Sequence, residues 1–363
     1  MQATHTANTV DTTFIPTYVN KHWLILLYLI VPLCLFIVVI DIFFLASSLK
    51  QHFLPVQPAE WAFWATLFNL PHIISSFITL ADKEYIAFYK KKLVPSFTVI
   101  TIGVMSMLFI IPQFFTGVGY SIIYALFFIF YATYTVYHVL SQQFGIGMML
   151  MQAPQSGLYQ YFRLTATISA ASLFIMVFAR ETINTIQLGS VSGLTLLSNI
   201  SLVMLIITSL IALRLVYTAK KRFGVLYLFI NMIMLYAIWL FMYLDYTVFV
   251  IMLPRFVHDL TAFMIYSVHD RNRNYRVKKN LIYRIFAFLP LSPLLLCPLL
   301  AVSFANTIEF SSSWFDQFLN TMGMPEIAKF ALAIVFISGF FHYHLESFVW
   351  KRDSIHRHSV PFR

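Results

Sequence analysis

Apolar runs of about 20 residues alternate along the chain with short polar segments, the pattern of helices that each cross a bilayer once. Ten such runs are read, at 23–48, 60–80, 95–115, 119–141, 163–179, 192–214, 224–243, 246–267, 281–304 and 326–350. Pro71, Pro254 and Pro290 interrupt three of them, which lipid tolerates because neighbouring helices can take up the freed backbone groups. One long apolar stretch is divided into two helices near Asp245. The expected architecture is an all-α polytopic bundle. Residues 23–350 form a single transmembrane domain between a tail at 1–22 and a tail at 351–363. The first 22 residues are polar, contain Asp11 and lack an apolar core with a small-residue cleavage site, so the first span is read as retained.

Composition agrees with this pattern. Of 363 residues 60% are hydrophobic and 10% charged, against roughly 45–50% and 25% in soluble domains. A soluble fold of this size lacks the interior to hide so much apolar surface. The 18% aromatic content, with 38 Phe, fits a protein solvated by lipid tails and argues against disorder.

The net charge of +10 acquires a location once the spans are set. Numbering the connections alternately puts 20 of the 24 Lys and Arg residues on one side. Lys50, Arg180 and Lys329 fall on the other, and Arg255 lies inside a span. By the positive-inside rule both termini are cytoplasmic, and the expected location is a bacterial inner membrane. Clusters such as Lys90–Lys92 and Arg271–Arg284 then set orientation and attract anionic head groups, making membrane lipids the expected partners. Nucleic acid is excluded, since a basic soluble domain is missing.

Ionisable residues inside spans are costly and therefore informative. Cys34 and Cys297 both lie in apolar runs, leaving neither a disulfide framework nor a thiolate zinc site. Of the 11 histidines, His5, His22, His52 and His358 sit in tails, interfaces or loops. His72, His138, His258 and His342 lie on four different spans, each in the cytoplasmic half, and are the candidate metal ligands together with His344. His342 and Glu346 are four residues apart and share a helix face, as do His138 and Gln142. Glu346, Asp259 and Gln142 are thus candidate additional ligands or orienting partners. His344 is two residues from His342 and points away from it on a regular helix. His258 and His269 are separated by about 16 Å along one helix axis and cannot share an ion. His269, Asp270 and His356 are accordingly assigned to the mouth of the site.

Imidazoles with carboxylates suit iron, zinc or copper better than magnesium or calcium, and two facing histidines would also suit haem. The bland alternative is that each histidine separately hydrogen-bonds a neighbouring helix. In the outer half, Asp41 and Arg255 match in depth and are expected to form a buried ion pair or to receive an anionic head group.

The placement of His72, His138, His258 and His342 resembles the bacterial Brp/Blh-type carotene-cleaving proteins, where single histidines on separate membrane helices are read as iron ligands. The HxxxH and HxxHH boxes of desaturases and fatty-acid hydroxylases are absent; the close pairs are His342/His344 and His356/His358. The resemblance implies a membrane enzyme with non-haem iron. Its expected activity is oxidation or cleavage of a lipid or isoprenoid, an apolar small molecule reaching the site from the bilayer. A proton-coupled transporter with a histidine chain, a bis-histidine haem protein and a membrane acyltransferase are the competing readings. No nucleotide-binding glycine motif or Ser/His/Asp signature appears, and no pattern specifies a redox partner.

Overall fold

Lipid offers a backbone no hydrogen bonds, so an apolar chain must satisfy its peptide groups internally. The computed structural model, which describes residues 15–55, 70–154, 156–275, 277–321, 329–351 and 354–363, is helical almost throughout. Its main helices are α1 (Lys21–Phe44), α3 (Leu70–Leu80), α4 (Lys83–Phe114), α5 (Val118–Met151), α6 (Gly157–Phe178), α8 (Gly193–Val216), α9 (Arg222–Tyr243), α10 (Thr247–Arg273), α12 (Pro293–Thr321) and α13 (Lys329–Val349). The short helices are α2 (Ser48–His52), α7 (Arg180–Asn184) and α11 (Leu281–Ile285), and one hairpin joins β1 (Gln187–Leu188) to β2 (Val191–Ser192).

Eight of the helices among the described residues are long and apolar enough to cross a membrane, and α3 and Pro293–Ile308 are shorter apolar helices. Every expected run corresponds to a helix, with instructive differences at the ends. The run 23–48 stops at Phe44 because Ala46 and Ser47 take left-handed backbone angles. The run 60–80 is described only from Leu70, and residues 60–69 and His5 lie outside the described residues. The run 281–304 is broken: α11 ends at Ile285 and α12 begins at Pro293, a residue whose missing N–H costs nothing in a first helical turn. Near Asp245 the chain divides as expected, with Asp245 itself left-handed (φ 64°) between α9 and α10.

Contacts at the helix ends sort the connections into two groups. At one end Val19 N–H donates to Pro361 O (2.9 Å) and Lys21 N–H to Arg363 O (3.0 Å), so the two terminal segments are zipped together. Asn272 holds both, accepting from Thr17 N and donating to Thr17 O and Ser359 O. Asp82 caps α4 and receives Arg273 Nε at 2.9 Å, while Asn280 caps α11 and donates to Ile78 O. At the opposite end an Arg180–Asp245 ion pair ties α7 to the α9–α10 turn.

Close helix approach is decided by small residues, as in other membrane bundles. Gly224, in the first turn of α9, leaves no room for a side chain: a Cβ there would lie 2.1 Å from Met151 N and 2.4 Å from Leu150 C. Both are backbone atoms, so relief requires moving α9 away from α5. Gly224→Ala is expected to destabilise the fold by about 1–3 kcal/mol, read as a lowered melting temperature in detergent. Gly145→Ala, whose Cβ would meet only the Tyr159 hydroxyl at 3.9 Å, should leave it unchanged.

Candidate metal centre

Four helices deliver the four histidines to one place. His72 lies on α3 near the start of its described residues, His138 midway along α5, His258 one turn beyond Pro254 on α10, and His342 three residues after Gly339 on α13. Gly339 lets α5 and α13 approach, since a Cβ there would fall 2.6 Å from the Tyr131 hydroxyl. All four imidazoles are buried, as are Glu346 and Asp259.

The rings of His72 and His342 have centroids 4.5 Å apart, those of His72 and His258 4.8 Å, and those of His138 and His342 5.0 Å. Ligating atoms of His72, His138, His342 and Glu346 all lie within 4.8 Å of one another, and so do those of His72, His258 and Asp259. The two groups share His72. Metal–nitrogen bonds of about 2.1 Å place two ligands at right or tetrahedral angles about 3.0–3.4 Å apart. The Nε2 atoms of His72 and His258 are 3.2 Å apart, and His138 Nε2 lies 3.2 Å from Glu346 Oε2. His342 Nε2 is 3.8 Å from the same carboxylate oxygen.

Buried polar atoms normally find partners, yet His138 Nε2, His342 Nε2, Glu346 Oε1 and Asp259 Oδ2 have no hydrogen bond. The surroundings supply the orientation that ligands need. Ser76 Oγ lies 2.7 Å from Ile73 O and 2.8 Å from His342 Nδ1, a contact that orients the ring with Nε2 on the side of Glu346. Gln142 Nε2 donates to Glu346 Oε2 and fixes that carboxylate from α5. Histidine clusters with nearby carboxylates are the donor set of a transition-metal site, and the residues present fit one.

Comparison with protein-family models, curated proteins and solved structures finds no match to this chain.

Several expected site residues take other places. His344 is not brought into the cluster: α13 is regular there, and the ring faces α4, where its Nε2 bonds Ser96 Oγ at 2.7 Å. His344→Ala should therefore leave metal content unchanged, measured by elemental analysis beside the parent protein.

The expected Asp41–Arg255 pair is also replaced. Asp41 accepts from the backbone N–H groups of Leu49 (2.8 Å) and Lys50 (3.0 Å) and from the Tyr246 hydroxyl (2.8 Å), so it holds the turn after α1. Burial and the Asp41 carboxylate push the Tyr246 phenol up to about 12, which keeps it a donor. Arg255 lies one turn outward of Asp259 on α10.

His269, Asp270 and His356 do not line an open mouth, because all three are buried. They form a second polar cluster below the first. Asp270 Oδ1 accepts from His269 Nδ1 (2.8 Å), and Oδ2 accepts from Tyr283 (2.5 Å) and Thr79 (3.2 Å). The Tyr85 hydroxyl meets His269 Nε2 at 3.0 Å, and the His356 ring lies against Tyr85 with centroids 3.7 Å apart. Burial holds the His356 imidazole far down, to about 2, with the charges of His269 and Arg273 adding to the effect, so it is neutral at physiological pH. Trp350, which its sequence position suggests is an interfacial anchor, packs instead between Tyr266, His269 and His356.

Ser76, Thr79, Tyr85 and Tyr283 carry no signal in the sequence, being hydroxyls within or beside apolar helices. The i, i+3 spacing of Ser76 and Thr79 becomes meaningful only after α3 is set between α10 and α13. A third polar cluster was equally hidden: Tyr28 donates to Asn231 Oδ1 (2.7 Å), and Tyr227 donates to Gln143 Oε1 (2.5 Å).

Proposed function

We propose that this chain is a membrane-embedded metalloenzyme whose four-histidine centre acts on an apolar lipid or isoprenoid. The observation that carries the reading is the convergence of His72, His138, His258 and His342 from four helices, with Glu346 and Asp259 alongside. Four separate histidines each bonding a neighbouring helix would have no reason to face one another, and buried imidazoles crowded within 4.8 Å are expensive without a shared cation.

Iron is the metal we favour, with zinc and copper as the other occupants the ligands suit. His72, His138, His258, His342 and Glu346 would hold it, leaving a position open, with Asp259 beside His258. Bound iron supplies activation of dioxygen at an open coordination position. The chain's own residues bury the centre, orient His342 through Ser76 and orient Glu346 through Gln142. Outward of the centre, Tyr343 packs on His138 (4.7 Å) and continues into Phe340, Tyr134 and Tyr131, an aromatic wall suited to an apolar chain entering from the bilayer. The resemblance to the Brp/Blh-type carotene-cleaving proteins belongs to the same reading, and by it the end bearing both terminal segments faces the cytoplasm.

The arrangement disfavours a haem held by two histidines. Axial nitrogens on opposite faces of one iron lie about 4 Å apart with bonds of about 2 Å, whereas His72 and His258 Nε2 are 3.2 Å apart with their rings 80° from parallel. Elemental analysis with an optical spectrum of protein purified in mild detergent tests the proposal. About one equivalent of iron without a haem band is the expected result. Substoichiometric content of every transition metal would sink it.

A further inference from the structure

The two polar clusters are separated by a small enclosed space. Ser76, Thr79, Tyr266, Glu346 and His356 contribute polar groups to its wall, and its volume is about 10 Å³. That is about the minimum for one water, which also needs two to four polar partners. Four polar atoms on these lining residues have no hydrogen bond: Glu346 Oε1, the Tyr266 hydroxyl, and both His356 ring nitrogens. Apolar cavities of this size stay dry; here Leu80, Leu345 and Val349 share the wall with residues that carry unsatisfied polar atoms, the partners a bound water needs.

We propose that this space is a binding site for an ordered, exchangeable water that joins Glu346 to His356, making the His269–Asp270–His356 cluster the polar port through which water reaches the buried centre. The inference rests on the metal-centre reading for the use of the port, but the water site stands on its own geometry. From the water, the polar groups continue without a gap. Thr79 sits one turn from Ser76 on α3 and donates to Asp270, Asp270 accepts from His269 and Tyr283, and His269 meets Tyr85. Tyr85 lies under the Arg273 guanidinium, 4.5 Å from its ring, at the end of the bundle where the terminal segments are zipped.

Outward of the upper cluster the Thr135 hydroxyl donates to that of Tyr343 at 3.2 Å, and Tyr343, Phe340 and Tyr131 are packed ring to ring.

Radiolytic hydroxyl-radical labelling of the full chain in lipid nanodiscs, after a brief mix into ¹⁸O-water, tests this by mass spectrometry. Tyr266 is 2% exposed and lines the space, whereas Tyr227 is 0% exposed and does not. Tyr266 is expected to label about tenfold faster than Tyr227 and to carry ¹⁸O, because an internal water generates the radical beside it. Val349→Leu adds a methylene to the wall of the space and should bring Tyr266 down to the Tyr227 rate with metal content unchanged. Should that variant fail to fold, Leu80→Phe fills the space from α3. Equal labelling of the two tyrosines in the parent protein, or Tyr266 labelling unaffected by filling, overturns the water site. Labelling with ¹⁶O alone means a trapped water and overturns the port. Labelling as expected in protein without metal would leave the water site standing while the metal-centre reading falls; iron present with Tyr266 unlabelled would do the reverse.

Discussion

His72→Ala combined with His258→Ala should strip the protein of its metal, taking iron from about one equivalent to below about a tenth. His72 belongs to both groups of converging ligand atoms, and its Nε2 lies 3.2 Å from that of His258. Losing even an outer-shell partner of a ligand typically costs 10–100-fold in affinity, and removing two ligands costs more. Elemental analysis of the purified variant reads the effect, and a single symmetric peak in size-exclusion chromatography shows that the bundle has survived. The replacement removes crowded imidazoles but takes His258 away from the buried Asp259, and the chromatographic control checks that the fold tolerates this. A variant that keeps its iron would remove the centre from these helices altogether.

The largest loss of stability is expected at Asp270. The carboxylate accepts three side-chain hydrogen bonds in a buried setting, from His269, Tyr283 and Thr79, so it ties α3, α10 and α11 together. Asp270→Ala strands all three donors at once. Breaking such a buried network by removing one partner costs about 3–5 kcal/mol, and tryptophan fluorescence during denaturant unfolding in mixed micelles measures it. Tyr283→Phe removes only one donor and leaves Asp270 two others, so it should cost about 1–2 kcal/mol. If Asp270→Ala proved as mild as Tyr283→Phe, the lower cluster would be contributing one contact and not a network.

The fold class was legible because lipid imposes a simple rule, that a spanning segment be apolar and helical. The ends of the runs were less so. Ala46 and Ser47 turn left-handed because Asp41 collects two backbone N–H groups and Tyr246 there, contacts no local pattern announces. The run at 281–304 carries an interruption at Pro290 that the sequence marks, and the structure widens it into a break that separates α11 from α12.

At the site, depth along each helix could be counted from the chain ends of the spans, but direction around each helix depends on the neighbours. That is why His72, His138, His258 and His342 were found and the partner of Asp41 was not. Arg255 matches Asp41 in depth, yet Asp41 spends its lone pairs on the turn after α1. His269, Asp270 and His356 look like surface groups in a basic segment, and they are buried because the terminal segment 354–363 docks over them, an interaction between residues far apart in the chain.

From the sequence alone come the apolar helical bundle, the one-sided distribution of basic residues and four histidines at similar depth, since each follows from local composition and the rise of a helix. Tertiary structure alone decides that those histidines face one another, that Ser76 meets the Nδ1 of His342, that His344 turns away, and that a second buried cluster lies beneath the first. These depend on the rotation and crossing of helices, which are set by close approaches such as Gly224 on Met151 and Gly339 on Tyr131, where the absence of a single Cβ fixes how two distant segments meet.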